Sequence, residues 1–415
     1  MRKRVLPVVL AAALLLLCGC GRRQGSCRVV VATDLHYIAP SLHDAGPGFT
    51  RLLEQGDGKL GLWSEELCDA FLQQMLEEKP EAVLLTGDLS FNGALASHEA
   101  LAEKLRTLEE AGIEVLVTTG NHDLYSSNAA AFSGESWRRV PSVTSEDFAR
   151  IYGAFGYNQA LSRDADSLSY LYPLNDSCRI LMLDANTAHD PCGLSAATLR
   201  WVEEQLRRTR REGKLLLAAG HQNLLQQTVF RDGYVMDGAD ELLTLLRRYE
   251  VPLFLSGHLH AQHQMSRDGV TEIATSALSV WPCQYAVLRA ADGQLRYETR
   301  RLDVSAWARK QGRTEPELLD FESTAAAWFD RHSRVQLAPL LADLEPETRD
   351  AVIDAYCRVN RAYFSGDLTH WADLDPKGAL ALLEQREPLY ALYLNDVARD
   401  LGRDFTSWTG PAARP

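Results

Sequence analysis

The sequence predicts an α/β chain with an α-helical region appended at its C-terminal end, and three observations carry the prediction. From Arg28 onward, short continuous apolar runs alternate with amphipathic helical stretches, the pattern of a largely parallel sheet whose strands are buried on both faces. Five of those runs end in turns that bear Asp, Asn or His, so one crevice at the strands' C-terminal ends would collect them. After Val304 the apolar residues switch to helical spacing and strand signals stop.

A chain of 415 residues has room for two domains, or for one large α/β domain with an appendage. With 46% hydrophobic and 24% charged residues it is of ordinary globular composition. The net charge of -13 argues against a nucleic-acid polymer as partner, because most of the surface would repel a phosphate backbone. A small anion remains compatible, since bound cations dominate the field inside a single pocket.

The N-terminus reads as an address. Arg2-Lys3-Arg4 is a positive n-region, and residues 5–18 are apolar but shorter than the roughly 20 residues a spanning helix needs. Leu17-Cys18-Gly19-Cys20 resembles a bacterial lipobox, with Cys18 standing where Ala or Ser is usual. The resemblance implies a signal peptide over residues 1–19, a lipid on Cys20, and a tether over residues 20–27 that holds the protein to the bacterial membrane, outside the cytoplasm. Removal of the three basic residues makes the remainder more acidic still. Cys27, Cys68, Cys178, Cys192, Cys283 and Cys357 have irregular spacing and no CxxC, which reads as core residues or isolated bridges rather than a thiolate metal site.

In chain order, residues 28–32 form a buried strand, the Gly-rich residues 46–61 a loop, and residues 64–78 an amphipathic helix capped by Ser64. Residues 81–86 are the second strand and residues 98–111 a returning helix. Periodicity weakens over residues 126–176, which would wrap the rim of the crevice. Strands at 179–183, 214–218 and 252–255 alternate with helices at 195–211, where Leu199, Val202 and Leu206 share a face, and at 239–249. Turn signals at Arg267-Asp268-Gly269 and Ala291-Asp292-Gly293 turn residues 260–301 into an antiparallel meander closing the sheet. Helical spacing then runs through Leu318, Phe321, Ala325 and Trp328, through Val352, Tyr356, Val359 and Tyr363, and through Tyr390, Tyr393, Val397 and Leu401. The expected domains are residues 28–303 and a helical bundle over residues 304–415.

The chemistry sits in five blocks: Asp34-Leu35-His36, Gly87-Asp88, Gly120-Asn121-His122-Asp123, Gly220-His221 and Gly257-His258-Leu259-His260. Five of the 11 histidines fall in them, each just past an apolar run. Mixed imidazole and carboxylate donors suit borderline metals such as Mn, Fe or Zn. In Asp34-x-His36 and His258-x-His260, an extended backbone would place both side chains on one face. Gly87, Gly120, Gly220 and Gly257 would supply positive φ or close backbone approach.

These blocks, in this order, resemble the calcineurin-like metallophosphoesterases, and Gly-Asn-His-Asp with Gly-His-x-His is similar to their class III cyclic-nucleotide phosphodiesterase branch. The resemblance covers residues 28–303 and implies a four-layer sandwich, two mixed β-sheets flanked by helices. It implies one metal among Asp34, His36, Asp88 and His260, and a second among Asp88, Asn121, His221 and His258, with Asp88 bridging. His122 would then be the catalytic imidazole, with Asp123 orienting it. Gln222-Asn223 after His221 departs from the usual His-Pro, which affects the shape of that wall. The expected reaction is attack of a metal-bridging hydroxide on a small phosphodiester, with cyclic nucleotides or related small diesters as the leading class and His122 assisting the leaving group.

Tyr152, Phe155, Tyr157 and Asn158 in the rim segment, and Trp281 and Tyr285, are candidates for a substrate pocket; Arg138-Arg139 and Arg207-Arg208 are candidates for meeting phosphate. A phosphomonoesterase or nucleotidase, and a phospholipid or cell-envelope phosphodiesterase, would share every one of these catalytic residues. A surface lipoprotein with a structural metal centre would have no use for His122-Asp123. Substrate and oligomeric state are not written in the sequence.

Overall fold

The computed structural model describes residues 26–412 except 190, 371–373 and 376–377; the expected signal peptide and Cys20 lie outside the described residues. Two mixed sheets form the centre. The first has strand order β15-β14-β13-β1-β2-β3, where β1 is Cys27–Ala32, β2 Ala82–Thr86, β3 Glu114–Thr118, β13 Gln284–Ala291, β14 Gln294–Arg301 and β15 Ser407–Pro411. The second has order β11-β12-β10-β9-β8-β7-β6, with β6 Ser162–Arg163, β7 Tyr170–Tyr172, β8 Cys178–Met182, β9 Leu215–Ala219, β10 Leu253–Ser256, β11 His263–Arg267 and β12 Val270–Ala274. A separate hairpin joins β4 (Ala130–Ser133) to β5 (Ser136–Arg139).

Strand alternation assigns the layers. In the second sheet, Ile180, Met182, Leu217, Ala219, Leu253 and Leu255 face the core shared with the first sheet. Their neighbours Leu181, Leu216, Ala218 and Phe254 face a second core under the helices α5 (Ala196–Arg211) and α6 (Ala239–Arg248). Helices α2 (Ser64–Glu78) and α3 (Leu95–Glu110) cover the first sheet, giving the expected four layers. Ser195 caps α5 by accepting from Thr198 N, and Arg208, Arg210 and Arg211 fill its last turn, where cations meet the helix's negative end. Ser64 does not cap α2; its hydroxyl bonds the main chain of Ile38 instead.

Several expectations need correction. The Gly-rich stretch before α2 contains α1 (Pro47–Gln55), started by Pro47 and buried through Phe49 and Leu53. The expected meander is split: β11 and β12 pair at one edge of the second sheet, while β13 and β14 belong to the first. The rim segment contributes the short helix α4 (Ser145–Ile151), closed by a Thr144/Asp147 capping box. Cys27 and Cys178 bring their sulfurs to 3.6 Å between the sheets, and no thiolate cluster occurs among the described residues.

The C-terminal region is α7 (Val304–Lys310), α8 (Pro316–Leu319), α9 (Phe321–Leu340), α10 (Pro346–Ser365), α11 (Leu380–Arg386) and α12 (Pro388–Ala398). It is less separate than its spacing suggests. Val304, Trp307, Leu318, Phe321, Trp328 and Phe329 pack into the main core, and only from Leu337 does an independent helical core begin. The chain then returns as β15, pairing antiparallel with β14, so the last residues belong to the first sheet. Among the described residues no helix is long and apolar enough to cross a membrane.

Candidate metal centre

All five blocks lie just past the ends of β1, β2, β3, β9 and β10. Backbone pairing continues into the turns and fixes them: Asp34 N donates to Gly87 O (3.1 Å), His36 N to Asp88 O (3.0 Å), Gly220 N to Leu255 O (3.0 Å) and Gly257 N to His221 O (3.0 Å). The local geometry is not extended, as the one-residue gaps suggested. Asp34, His36, Asp88, His258 and His260 all have positive φ, between 42° and 69°. Left-handed backbone at five non-glycine residues of one site is strain that the surrounding pairing must hold. Of the block glycines only Gly87 has positive φ (91°). Gly120 and Gly257 serve close approach, since a Cβ there would run into the Asp88 carboxylate and Thr33.

Asp34, His36, Asp88 and His260 bring ligand atoms within 4.8 Å of one another. His36 Nε2 faces His260 Nε2 at 3.1 Å, and His260 Nε2 lies 3.2 Å from Asp34 Oδ1. Asp34 Oδ2 accepts from Thr33 Oγ1 (2.7 Å) and His258 N (3.0 Å), whereas Oδ1 is buried with no hydrogen-bond partner. A buried carboxylate oxygen left open, with two imidazole nitrogens converging beside it, fits a cation. Across Asp88 a second group gathers. His221 Nδ1–H donates to Thr86 O (2.9 Å), which turns Nε2 toward Asn121 Oδ1 (3.1 Å) and Asp88 Oδ2 (3.5 Å). His258 gives Nε2–H to Gly233 O (2.8 Å), leaving the Nδ1 lone pair free to bind a metal, and its ring centroid is 5.0 Å from that of His221. Asp88 Oδ1 accepts from His122 N (2.8 Å) while Oδ2 faces both His36 and His221, the position a bridging ligand needs.

Charges in this buried cluster are strongly displaced. Burial works against ionisation of Asp34 and Asp88, yet His260 lowers the first and His221 holds the second well below the usual carboxylate range. His221 is pushed up to about 9, its burial outweighed by Asp88. Burial, then the Lys59 ammonium, drive His36 well below the ordinary imidazole value, and burial with His221 takes His258 down to about 4. His36 and His258 are thereby held neutral beside ionised carboxylates, whereas His221 carries a proton that a bound divalent metal would displace.

His122 stands apart from the ligands. Its Nδ1–H donates to Phe91 O (3.0 Å), which directs Nε2 to the centre, 3.9 Å from Asp88 Oδ2, and its side chain is 35% exposed. The expectation that Asp123 orients it is corrected. Asp123 is fully buried and accepts from Leu89 N (3.1 Å), Ser90 N (2.9 Å), Ser90 Oγ (3.1 Å) and Gly120 N (2.8 Å). It ties the Gly120 turn to the Asp88 turn, and burial with the nearby Asp88 charge pushes it up to about 7. The Phe91 carbonyl takes the orienting role.

A cavity of about 630 Å³ opens beside His122. Leu52 and Leu53 of α1, Phe91, Phe132 and Trp137 give it apolar walls, and Asp57, Lys59, Asn92, Asn128 and Arg139 add polar groups. None of the expected pocket residues lines it. Tyr157 is buried with its hydroxyl on Val117 O, as Tyr152 and Phe155 are buried, and Asn158 is an exposed helix-end residue. Tyr285 bonds Glu78 and Gln74 inside the first sheet's helix layer, and Trp281 packs under Arg301. Of the arginine candidates, Arg139 reaches the cavity. Gln222 and Asn223 enter buried polar networks with Asn186 and Glu272, so this wall is closed by side-chain amides. Asp57, Lys59 and Trp137 were not singled out from sequence. The one trace of them there is the Gly-Asp-Gly-Lys turn, where Gly58 has φ 86°.

The chain matches the calcineurin-like phosphoesterase family over residues 27–262 and the C-terminal domain of cyclic nucleotide phosphodiesterase over residues 303–404. A 3',5'-cyclic-nucleotide phosphodiesterase from Nostoc sp. is 24% identical over 214 residues, covering 51% of this chain and 68% of its own. A dimetal phosphatase from Danio rerio is similar in structure over 66% of this chain and 96% of its own, with 14% identity and a TM-score of 0.49. GAP50, the anchor in the inner membrane complex of Plasmodium, aligns over 74% and 94% with 13% identity and a TM-score of 0.36. With more than half of its length matched by one family, the chain belongs to the calcineurin-like phosphoesterases.

Proposed function

We propose that this chain is a metal-dependent phosphodiesterase of small phosphodiesters, with cyclic nucleotides as the leading class, and that it acts outside the cytoplasm on a lipid anchor at Cys20. The observation that carries the hydrolytic reading is His122: a partly exposed imidazole aimed at the cluster, held by a main-chain carbonyl, and opening on a cavity. A structural metal site needs neither that imidazole nor that space. The diester reading draws on the printed activity of the Nostoc relative and on the C-terminal match, and the anchor reading on Leu17-Cys18-Gly19-Cys20.

Asp34, His36, Asp88 and His260 would hold one ion, and Asp88, Asn121, His221 and His258 the other, with Mn, Fe or Zn suited to these donors. Bound there, the ions supply Lewis acidity to the phosphoryl oxygens and lower the pKa of water toward about 7. The protein's own part is positional and protonic. Phe91 O fixes the His122 ring through Nδ1–H, so an imidazolium at His122 presents its Nε2 proton to the departing alkoxide. Asp34, His36, Asp88 and His221 are buried while Asn121 is exposed, so the cluster is open on the Asn121 side, and the apolar cavity walls receive the organic part of the ester.

The test is a turnover panel on the Mn-loaded full chain: an aryl phosphodiester, its monoester, 3',5'-cyclic nucleotides and phospholipid headgroup esters. Diester turnover with cyclic nucleotides among the best substrates is expected. Preference for the monoester would replace the diester reading, and absence of metal-dependent turnover for every member would remove the hydrolase reading.

A further inference from the structure

Lys59 is 7% exposed, and among the described residues its ammonium pairs with Asp57 alone, through Oδ2 at 2.6 Å. An ammonium carries three N–H donors, and a buried one is costly unless they find acceptors. Lys59 lines the cavity that His122 opens on, so its remaining donors have that space for an acceptor. Asp57 lies 3.8 Å from His260 Nδ1, the ring nitrogen turned away from Asp34, which sets the loop directly against the metal cluster.

The loop is built to stay there. Leu60 N donates to Ser279 O (2.8 Å), and Ser279 Oγ donates to Asp34 O (2.8 Å), linking it to the Asp34 turn. From the other side α9 closes on it. Trp328 Nε1 donates to Lys59 O (3.1 Å), Arg331 pairs with Glu54 (2.6 Å), and a Cβ on Gly58 would stand 2.9 Å from Phe329 Cδ2. With φ 86° as well, Gly58 accepts no other side chain without backbone strain and a shift of the Phe329 ring.

We propose that Lys59 is a binding residue for the substrate's phosphoryl oxygens, a fixed cation on the cavity side of the metal cluster, and that α9 of the C-terminal region holds it in place. This rests on the phosphoester-hydrolase reading. The ligand class is a phosphate ester or free phosphate; a buried ammonium gives it a charge-assisted hydrogen bond that water cannot easily replace. Asp57 then has two tasks, holding the lysine when the site is empty and facing His260.

The experiment measures inorganic phosphate binding by calorimetry, metal content, and kcat and KM for a phosphodiester, on the Mn-loaded full chain and on Lys59→Met, Lys59→Arg and Asp57→Asn. Lys59→Met is expected to keep its metal and to weaken phosphate about tenfold or more, with KM raised in step. Lys59→Arg should recover most of that affinity. Asp57→Asn separates the roles: it removes the ion pair and keeps the cation, so compared at equal metal content its phosphate affinity should hold or improve. If Lys59 only fastens the loop, Asp57→Asn will lose phosphate affinity as Lys59→Met does, and the proposal falls. It falls equally if Lys59→Met matches the wild type. Wild-type protein that neither binds phosphate nor turns over any ester would overturn the hydrolase reading itself, and this one with it.

Discussion

The two sides of the metal cluster are made differently. The candidate ligand side is the ends of five strands, whose turns are fixed by main-chain hydrogen bonds and carry carboxylate, imidazole and amide side chains. The cavity side is made of α1, residues 56–59, Phe91-Asn92 and the β4–β5 hairpin, and it rests on α9 from the far end of the sequence. The first side is determined by the sheet and by metal chemistry, which accepts few residue types. The second is determined by packing between segments distant in sequence, and there most residue types would serve. In this chain the candidate ligands are placed by the strand ends, and the cavity beside them by what leans against those ends.

The largest effect should follow a break on the ligand side. Asp88→Ala removes the carboxylate that faces both ligand groups, and should abolish stoichiometric metal binding and reduce turnover roughly a thousandfold or more, read by elemental analysis and kinetics. A fully metallated Asp88→Ala would break the comparison by showing that the cluster does not depend on its centre. Next comes Asp123→Asn, which disturbs the joint between two ligand turns. It should lower unfolding stability by about 1–3 kcal/mol while leaving the pH dependence of kcat in place, because His122 is oriented by Phe91 O. A displaced pH profile with unchanged stability would return the orienting role to Asp123.

On the cavity side, effects should be smaller and should depend on the ester. Trp137 is 63% exposed on its hairpin, so Trp137→Ala should raise KM several-fold for esters with large apolar groups, by loss of about 1 kcal/mol of contact, and leave small esters, metal content and melting temperature alone. Equal loss for every ester would mean the hairpin supports the cluster instead. The smallest effect belongs to the bundle's own dock. His263 Nε2 meets Asp400 Oδ2 at 3.0 Å, and this bond, working against burial, holds Asp400 below its ordinary value. A carboxyl lowered in the folded state contributes stability above its unfolded pKa of about 3.9 and loses it as pH falls through the folded value. Asp400→Asn should therefore cost about 1 kcal/mol at pH 7, and the difference from wild type should begin to shrink as pH falls below about 4 and vanish only below the lowered folded-state value, measured by denaturant unfolding.

That contrast also explains what could be read in advance. The convergence of Asp34, His36, Asp88 and His260 was legible because each stands in a turn at the end of an apolar run. Their backbone was not legible: the gaps in Asp34-x-His36 and His258-x-His260 suit an extended chain, and only the cross-strand pairing forces positive φ. Asp123 was misread because adjacency to His122 is a weaker guide than the four donors waiting in the folded turns. Tyr157, Trp281 and Tyr285 looked like pocket aromatics because apolar size does not distinguish a core from a cavity wall. Lys59 and Trp137 went unseen because nothing local marks them; α9 and the hairpin give them their place. The antiparallel return of β15 was hidden by a tail too short and too polar to stand out beside the helices.

The division between holding metal and moving protons is tested most directly by the metal content of His122→Ala, loaded with Mn and measured by elemental analysis. Metal content equal to that of the wild type measured alongside, with turnover reduced about 10²- to 10⁴-fold, is the expected result. A variant that binds one ion or none would make His122 a ligand and contradict the account.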